Sequence, residues 1–311
     1  MRTTRTRATR TTSLRECRTA SQGAQRRQTE HRQVLEYYDR HSEWDRLAEG
    51  RGRLEFLRTT EIVLRNLPPP PAVVADIGGG PGRYTLWLAE LGYQIEHRDL
   101  VPRHVRELTQ KALDLPAVRT AVADARDLDL SDGAVDAALL FGPLYHLSGR
   151  ADRLRALAEA NRIARPGGPV FAAAVSRWAP RILAELHARL YTRIPALREE
   201  ISRAERTGEL PRLTQGSWFG YCHRPRQLRA ELTAAGLDVA DLVSIDAPAL
   251  LMADITERMN DPVDRAVVLD AARALERVPE MLGIGPHLLA TAVCGPHPPA
   301  LSATLRTRIA R

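Results

Sequence analysis

Residues 73–85 read Val-Val-Ala-Asp-Ile-Gly-Gly-Gly-Pro-Gly-Arg-Tyr-Thr: an apolar run carrying an acid, a glycine-rich turn, then the start of a helical pattern. An apolar run this continuous suits a strand buried on both faces, and such strands belong to parallel sheets covered by helices. The turn lets backbone approach a ligand closely at a helix start, where free N–H groups point outward. Its spacing narrows the ligand. Gly78, Gly80 and Gly82 fit G-x-G-x-G, whereas a dinucleotide fingerprint requires glycine at position 83, where Arg83 stands. The turn therefore points to a nucleotide-type cofactor other than NAD.

The rest of the chain repeats this strand-then-helix rhythm. Apolar positions between Gln33 and Leu67 recur at helical spacing and stop at Pro68–Pro71, predicting two helices before the first strand. After the turn the pattern predicts strands over Tyr93–Asp99, Val118–Ala123, Val135–Phe141 and Val170–Val175, each separated by a helical segment. Beyond Ser176 the rhythm changes. A long helical insertion is expected over Pro180–Thr207, further helices over Arg224–Ala235 and Thr256–Arg277, and strands over Val239–Ile245 and His287–Val293. The expected fold class is α/β, a doubly wound parallel sheet with helical additions at the N-terminus and in an insertion over residues 177–222.

Charge decides less than its total suggests. Of the 45 basic and 38 acidic residues, nine arginines and two acids lie in the first 32 positions, which accounts for the whole net charge of +7 and leaves the remainder neutral. Residues 1–30 are Arg, Thr, Ser and Gln with almost nothing to bury, so disorder is expected there; a nucleic-acid-binding arm or an organelle presequence has the same composition. Residues 31–300 are expected to form the folded domain and 301–311 a second tail. The neutral remainder argues against a nucleic-acid partner. No apolar run reaches the roughly 18 residues of a spanning helix and no apolar signal core opens the chain, so a cytoplasmic location and no membrane partner are expected. The three cysteines, Cys17, Cys222 and Cys294, are scattered, and no metal site is expected.

Four sites at the ends of successive predicted strands carry a family resemblance. They are Asp76 with Gly78, Gly79, Gly80 and Gly82; Asp99 with Leu100, 23 residues after Asp76; Asp124 with Ala125 and Arg126; and Phe141-Gly142-Pro143-Leu144-Tyr145-His146-Leu147. In this combination the chain resembles the class I S-adenosylmethionine-dependent methyltransferases over about residues 34–295. The resemblance implies a seven-stranded sheet whose last, antiparallel strand is His287–Val293. It implies S-adenosylmethionine as cofactor, with the glycine turn against its methionine part, Asp99 on the ribose hydroxyls and Asp124 toward the adenine amino group. Phe141 and Gly142 would complete the cofactor site, with the substrate beside them.

In-line transfer of a methyl group needs alignment and exclusion of water more than acid or base chemistry. A hydroxyl or amine acceptor must still lose a proton. His146 is the best-placed candidate base because imidazole titrates near neutrality, with His223 second; alternatively His146 orients the site and His223 caps the helix beginning near Pro225. Tyr37, Tyr38 and Trp44 before the first strand, Tyr145, and Trp218 and Tyr221 at the end of the insertion are candidates to line an acceptor pocket. These readings together predict methyl transfer to an O- or N-nucleophile of a small molecule, such as a secondary metabolite. The alternatives are an RNA or DNA methyltransferase anchored by the basic tail, and a cofactor-binding protein without catalysis. Oligomeric state is not legible.

Overall fold

The computed structural model describes residues 25–214, 217–247 and 252–295. It divides into two units, one ending at His41 and one beginning at Ser42. In the first, residues 25–38 form a helix, α1. Residues 1–24 of the expected tail lie outside the described residues, as does the segment 301–311, but 25–30 are helical. Continuing a helix costs less than starting one, and Arg26 and Glu30 lie one turn apart with their charges 3.7 Å from each other. The boundary expected at residue 30 therefore falls inside α1.

The second unit runs α2 (Glu43–Arg46), α3 (Gly50–Leu64), β1 (Val73–Ile77), α4 (Arg83–Glu90), β2 (Gln94–Asp99), α5 (Pro102–Lys111) and β3 (Val118–Val122). Next come β4 (Ala137–Leu140), the single turn α6 (Pro143–His146), α7 (Arg150–Ile163) and β5 (Pro169–Ser176). The order β3-β2-β1-β4-β5 is all parallel, so the chain reverses direction across the sheet between β1 and β4. Ligand crevices in open α/β sheets form at the carboxyl ends beside such a reversal. On β1 the alternation is visible: Ala75 and Ile77 join one core with Leu157 and Leu228, while Val74 joins the other with Ile62, Leu88 and Phe171. β3, at the edge, is only partly buried, which departs from the two-sided burial of the inner strands.

β9 (His287–Cys294) pairs antiparallel with β5 on one side and with β8 (Leu237–Ser244) on the other. These seven strands are the expected sheet. Two short ones, β6 (Glu209–Leu210) and β7 (Gly220–His223), were not expected and come from the insertion. β4 stops pairing with β5 at Ala172, and β7 pairs in parallel with Val175 and Ser176. Because Val175 also faces His287 of β9, β7 occupies the same edge of β5 as β4 does.

The insertion is not one helix. A wide π-helical turn over Pro180–His187 and a tight 3-10 turn over Leu190–Thr192 precede α8 (Leu197–Thr207). The break is at Arg189, whose φ of 49° is left-handed, with Pro195 following to interrupt the helical register. α8 packs its own small core of Leu197, Ile201, Ala204 and Leu210, with Trp218 against it. α9 (Pro225–Ala234) follows β7. The helix expected over Thr256–Arg277 likewise divides, into α10 (Ile255–Asn260) and α11 (Pro262–Leu275). Asp261 caps α11 by accepting from the backbone of Val263 at 2.8 Å and Asp264 at 2.9 Å, and Pro262 cannot continue the preceding helix.

Candidate active site

The carboxyl ends of β1, β2 and β4 converge. Gly78, at φ 69°, donates to the Arg98 carbonyl at 2.6 Å, which ties the end of β1 to β2. On its other side a Cβ at Gly142 would come 2.9 Å from the Gly78 carbonyl, so β1 and β4 meet without side chains between them. Gly79 is needed for closeness: a Cβ there would lie 2.5 Å from the Asp76 carboxyl group and 2.7 Å from His97 Cδ2. Gly80, at φ 58°, faces space with no atom within 4 Å of a built Cβ. Gly82 is the left-handed residue that opens α4, packed against Leu108.

Asp99 is fixed before any ligand arrives. Its Oδ2 accepts from Gly80 N–H at 2.8 Å, and its Oδ1 from Val101 N–H at 2.8 Å and His104 Nδ1–H at 3.1 Å. Burial opposes its charge, but the hydrogen bond from His104 and these partners outweigh it and hold the carboxyl below its ordinary pKa. Three donors take three of about four acceptor positions on a carboxylate, so a pair of ribose hydroxyls requires one donor to yield. Leu100 follows, half-buried. Asp76, fully buried beneath the turn, accepts from Thr85 Oγ1 at 2.7 Å, while its Oδ1 is buried with no partner among the described residues. Burial raises its pKa. His97 joins Thr120 Oγ1 at 2.8 Å to the Gly80 carbonyl at 3.0 Å, bracing the turn from below.

Asp124 is engaged differently from the expectation. Arg126 binds it through the backbone N–H at 2.9 Å and through the guanidinium at 2.5 to 3.1 Å, so its carboxylate is occupied by a neighbour two residues away. Ala125 turns toward the core instead. Phe141 meets the Tyr84 ring edge-on at 5.1 Å, and Tyr145 donates its hydroxyl to the Phe141 carbonyl at 2.9 Å. His146 is buried between Tyr145, at 4.9 Å, and Phe219, at 5.7 Å. It does not titrate near neutrality. Burial pulls it down to about 4 against the attraction of Asp99, so at neutral pH it is an uncharged and weak base.

Several residues expected to line a pocket have other partners. His223 has no solvent exposure and lies 3.3 Å from Glu231, which also holds Arg153 at 2.7 and 2.8 Å; burial lowers its pKa. It is part of a sealed ion network, and Gln227 rather than His223 caps α9, at 3.1 Å from the Arg224 N–H. Tyr221 supports the same network, with the Arg153 guanidinium 3.5 Å above its ring. Trp44 carries the Lys111 ammonium at 3.5 Å and the Arg83 guanidinium at 4.9 Å on its ring. Trp218 approaches Tyr145 at 6.5 Å but packs chiefly on α8. Tyr37 and Tyr38 belong to the first unit, where Tyr37 stacks on His41 at 4.3 Å and meets Tyr38 edge-on at 5.1 Å.

A group that the sequence reading did not single out gathers at the same edge of the sheet. His287, at the start of antiparallel β9, is level with Val175 near the carboxyl end of β5. Its Nδ1 lies 2.9 Å from Asp246, just beyond β8, and 3.7 Å from Glu55 of α3. Glu55 is held by Arg46 at 2.6 and 3.1 Å. The available signal was topological: an antiparallel last strand must begin where the parallel ones end.

Comparison with known proteins agrees with this geometry. Residues 75–172 match the family model described as methyltransferase domain. The ubiquinone/menaquinone biosynthesis C-methyltransferase of Acidiphilium cryptum is 34% identical over 122 residues, covering 38% of this chain and 47% of that protein. The chain thus spans about half the length of that relative. A putative S-adenosylmethionine-dependent methyltransferase from Listeria monocytogenes superposes with a TM-score of 0.52 at 15% identity, over 78% of this chain and 99% of the other. A Methanosarcina mazei SAM-dependent methyltransferase gives 0.50 at 16% identity, over 75% and 97%. The fold is a doubly wound α/β sheet with a glycine turn beside the reversal of its strand order. Over residues 75–172 the chain resembles that methyltransferase domain, and its fold is the one these solved structures share. Among the described residues no helix is long and apolar enough to cross a membrane.

Proposed function

We propose that this protein transfers a methyl group from S-adenosylmethionine to an oxygen or nitrogen nucleophile of a small molecule. The observation that carries the reading is the preset carboxylate of Asp99, ionised, buried and hydrogen-bonded to the N–H of Gly80. The residues fit the cofactor. Gly80 leaves room for a ligand where any side chain would project, and the orphaned Asp76 oxygen supplies an acceptor beneath the turn. When bound, the cofactor supplies a methyl group already made electrophilic by its sulfonium.

What the chain itself does is bind, align and exclude water. Asp99 accepts from ribose hydroxyls, the glycine turn presents backbone, and Phe141 with Tyr84 forms an apolar wall beside it. Asp124 reaches an adenine amino group only if Arg126 shares it. The small-molecule reading is supported by the neutral composition of residues 33–311 and by an insertion with its own core beside the acceptor side of β5. Calorimetry with S-adenosylhomocysteine tests the cofactor. Micromolar binding that weakens at least about tenfold in Asp99→Asn is expected, since a hydrogen bond to a charged group is worth about 1.5–3 kcal/mol. Absence of binding to the wild type would refute the reading.

A further inference from the structure

The methyl acceptor's nucleophile needs a group to take its proton, and His146 is too weak a base to serve. His287 is different. Its Nδ1 is committed to Asp246 at 2.9 Å, and Asp246 also accepts from the His287 backbone N–H at 3.3 Å, so ring and backbone are both fixed. Asp246 is 1% exposed, and a carboxyl group buried that deeply needs a hydrogen-bond partner, which the imidazole supplies. A carboxylate on Nδ1 places the proton on that nitrogen and turns Nε2 outward as the reactive atom. Nε2 has no hydrogen-bond partner among the described residues, and the side chain keeps 25% of its exposure.

Position matters as much as orientation. His287 sits at the carboxyl ends of the parallel strands, level with the end of β5. It connects through Glu55 and Arg46 to the electrostatic surroundings of Tyr84 and Tyr145, the two tyrosines that pack around Phe141.

Resting on the methyl-transfer reading above, we propose that His287, oriented by Asp246, is the catalytic base that meets an acidic hydroxyl, a phenol or enol, on the acceptor. With the ring neutral, as it becomes when pH rises through about 9, the acceptor O–H gives its proton to Nε2; at lower pH the imidazolium holds the acceptor as its phenolate, whose proton has gone to solvent. An oxygen lone pair forms the O–CH3 bond while the C–S bond of the S-adenosylmethionine sulfonium breaks, its electron pair remaining on sulfur. The thioether product leaves, and Nε2 returns its proton to solvent.

The groups facing His287 explain why the acceptor is an acidic hydroxyl. Burial lowers the affinity of the ring for a proton, but Glu55 from α3 and Asp246 from beyond β8 outweigh burial and the opposing charge of Arg46 from α2, raising the pKa to about 9. A phenol ordinarily titrates near 10, so proton transfer between the two is nearly balanced. An aliphatic alcohol is far too weak an acid to be matched by this imidazole. An ammonium acceptor would be repelled by the imidazolium.

The test uses full-length protein and 4-nitrophenol, whose phenolate absorbs at longer wavelength than the neutral phenol. At a pH below the free phenol's own pKa, wild type is expected to bind the probe as its phenolate, and the colour is expected to vanish in His287→Asn. In histidine-labelled protein the His287 resonances should titrate about 9, move when the probe binds, and titrate at least about one pH unit lower in Glu55→Gln. A merely structural ion pair would titrate the same way but would not respond to the probe. Failure to bind, binding only as neutral phenol, or the same colour in His287→Asn would each overturn the proposal. Calorimetry with S-adenosylhomocysteine on the same samples separates the two readings: loss of that signal would remove the cofactor reading while leaving the His287 chemistry measured on its own.

Discussion

Replacing Arg153 by Met removes the cation at the centre of an enclosed ion network beside the site. Arg153 is 1% exposed and Glu231 4%, and neither can turn to water. The guanidinium makes two hydrogen bonds to Glu231, at 2.8 and 2.7 Å, and two to the carbonyls of Leu147 and Ser148, at 3.0 and 2.6 Å. Methionine fills much of the volume but supplies no donor, so the Glu231 carboxylate is stranded beside a neutral His223. Uncovering a buried charge in this way costs about 3–5 kcal/mol. At roughly 2–4 °C per kcal/mol for a domain of this size, Tm should fall on the order of 10 °C at neutral pH.

The pH dependence gives an independent measure. Burial disfavours the Glu231 charge, yet hydrogen bonds from Arg153 and His223 outweigh it and hold the pKa at about 2. A depressed carboxylate contributes stability that is complete above its unfolded pKa, about 4.3, and is lost as pH falls toward the folded value. That contribution is on the order of 3 kcal/mol in wild type and should vanish in Arg153→Met. Thermal unfolding between about pH 2.5 and pH 7 reads it directly. The double variant Arg153→Met/Glu231→Leu should recover much of the loss, because it leaves no buried charge uncompensated, although the Leu147 and Ser148 carbonyls still lose their donor. If the single variant melts within a few degrees of wild type, or the two changes simply add, the network is not holding the loop after His146 in place.

Other outcomes follow from the same geometry. Gly79→Ala should destabilise by about 1–3 kcal/mol in urea unfolding and weaken S-adenosylhomocysteine binding, because its Cβ meets both Asp76 and His97; unchanged stability would show that the turn can relax. His146→Asn should leave the pH dependence of cofactor binding from about pH 6 to pH 8 parallel to wild type, since the ring is already uncharged with a pKa of about 4; a new slope by calorimetry would contradict this. His287 is a raised group. Its stabilising contribution should be complete below about pH 6.5 and lost as pH rises through about 9, on the order of 2 kcal/mol after allowing for its partial exposure. Asp246→Asn should flatten that alkaline limb in chemical unfolding.

β1, β4 and β5 were legible because burial on both faces forces apolar runs. The breaks in the helices were less so. At Asp261–Pro262 the cap and the first-turn proline are in plain view and outweigh the apolar periodicity running through them. At Arg189 a non-glycine residue takes a left-handed conformation that no local pattern announces. Asp76, Gly78 and Asp99 of the candidate cofactor site were readable because they fall within a single β-α-β unit. His287 and Asp246 are 41 residues apart and Glu55 farther still, so only the antiparallel return of β9 brings them together. His146 and His223 looked alike as imidazoles; the depth at which each is buried separates them.

The attachment of the insertion has a mechanical consequence. Its far end, β7, is hydrogen-bonded to the last two residues of β5, while its near end continues directly from that same strand. Both ends of the loop are thus clamped to one strand of the sheet, within a few residues of each other. The segment between them can tilt only about this short root, as a cantilever does, and any tilt pulls on the end of β5 opposite His287. The outer part, α8 and the turns before it, can then be lengthened or repacked while the root keeps the ends of β5 and β7 in register.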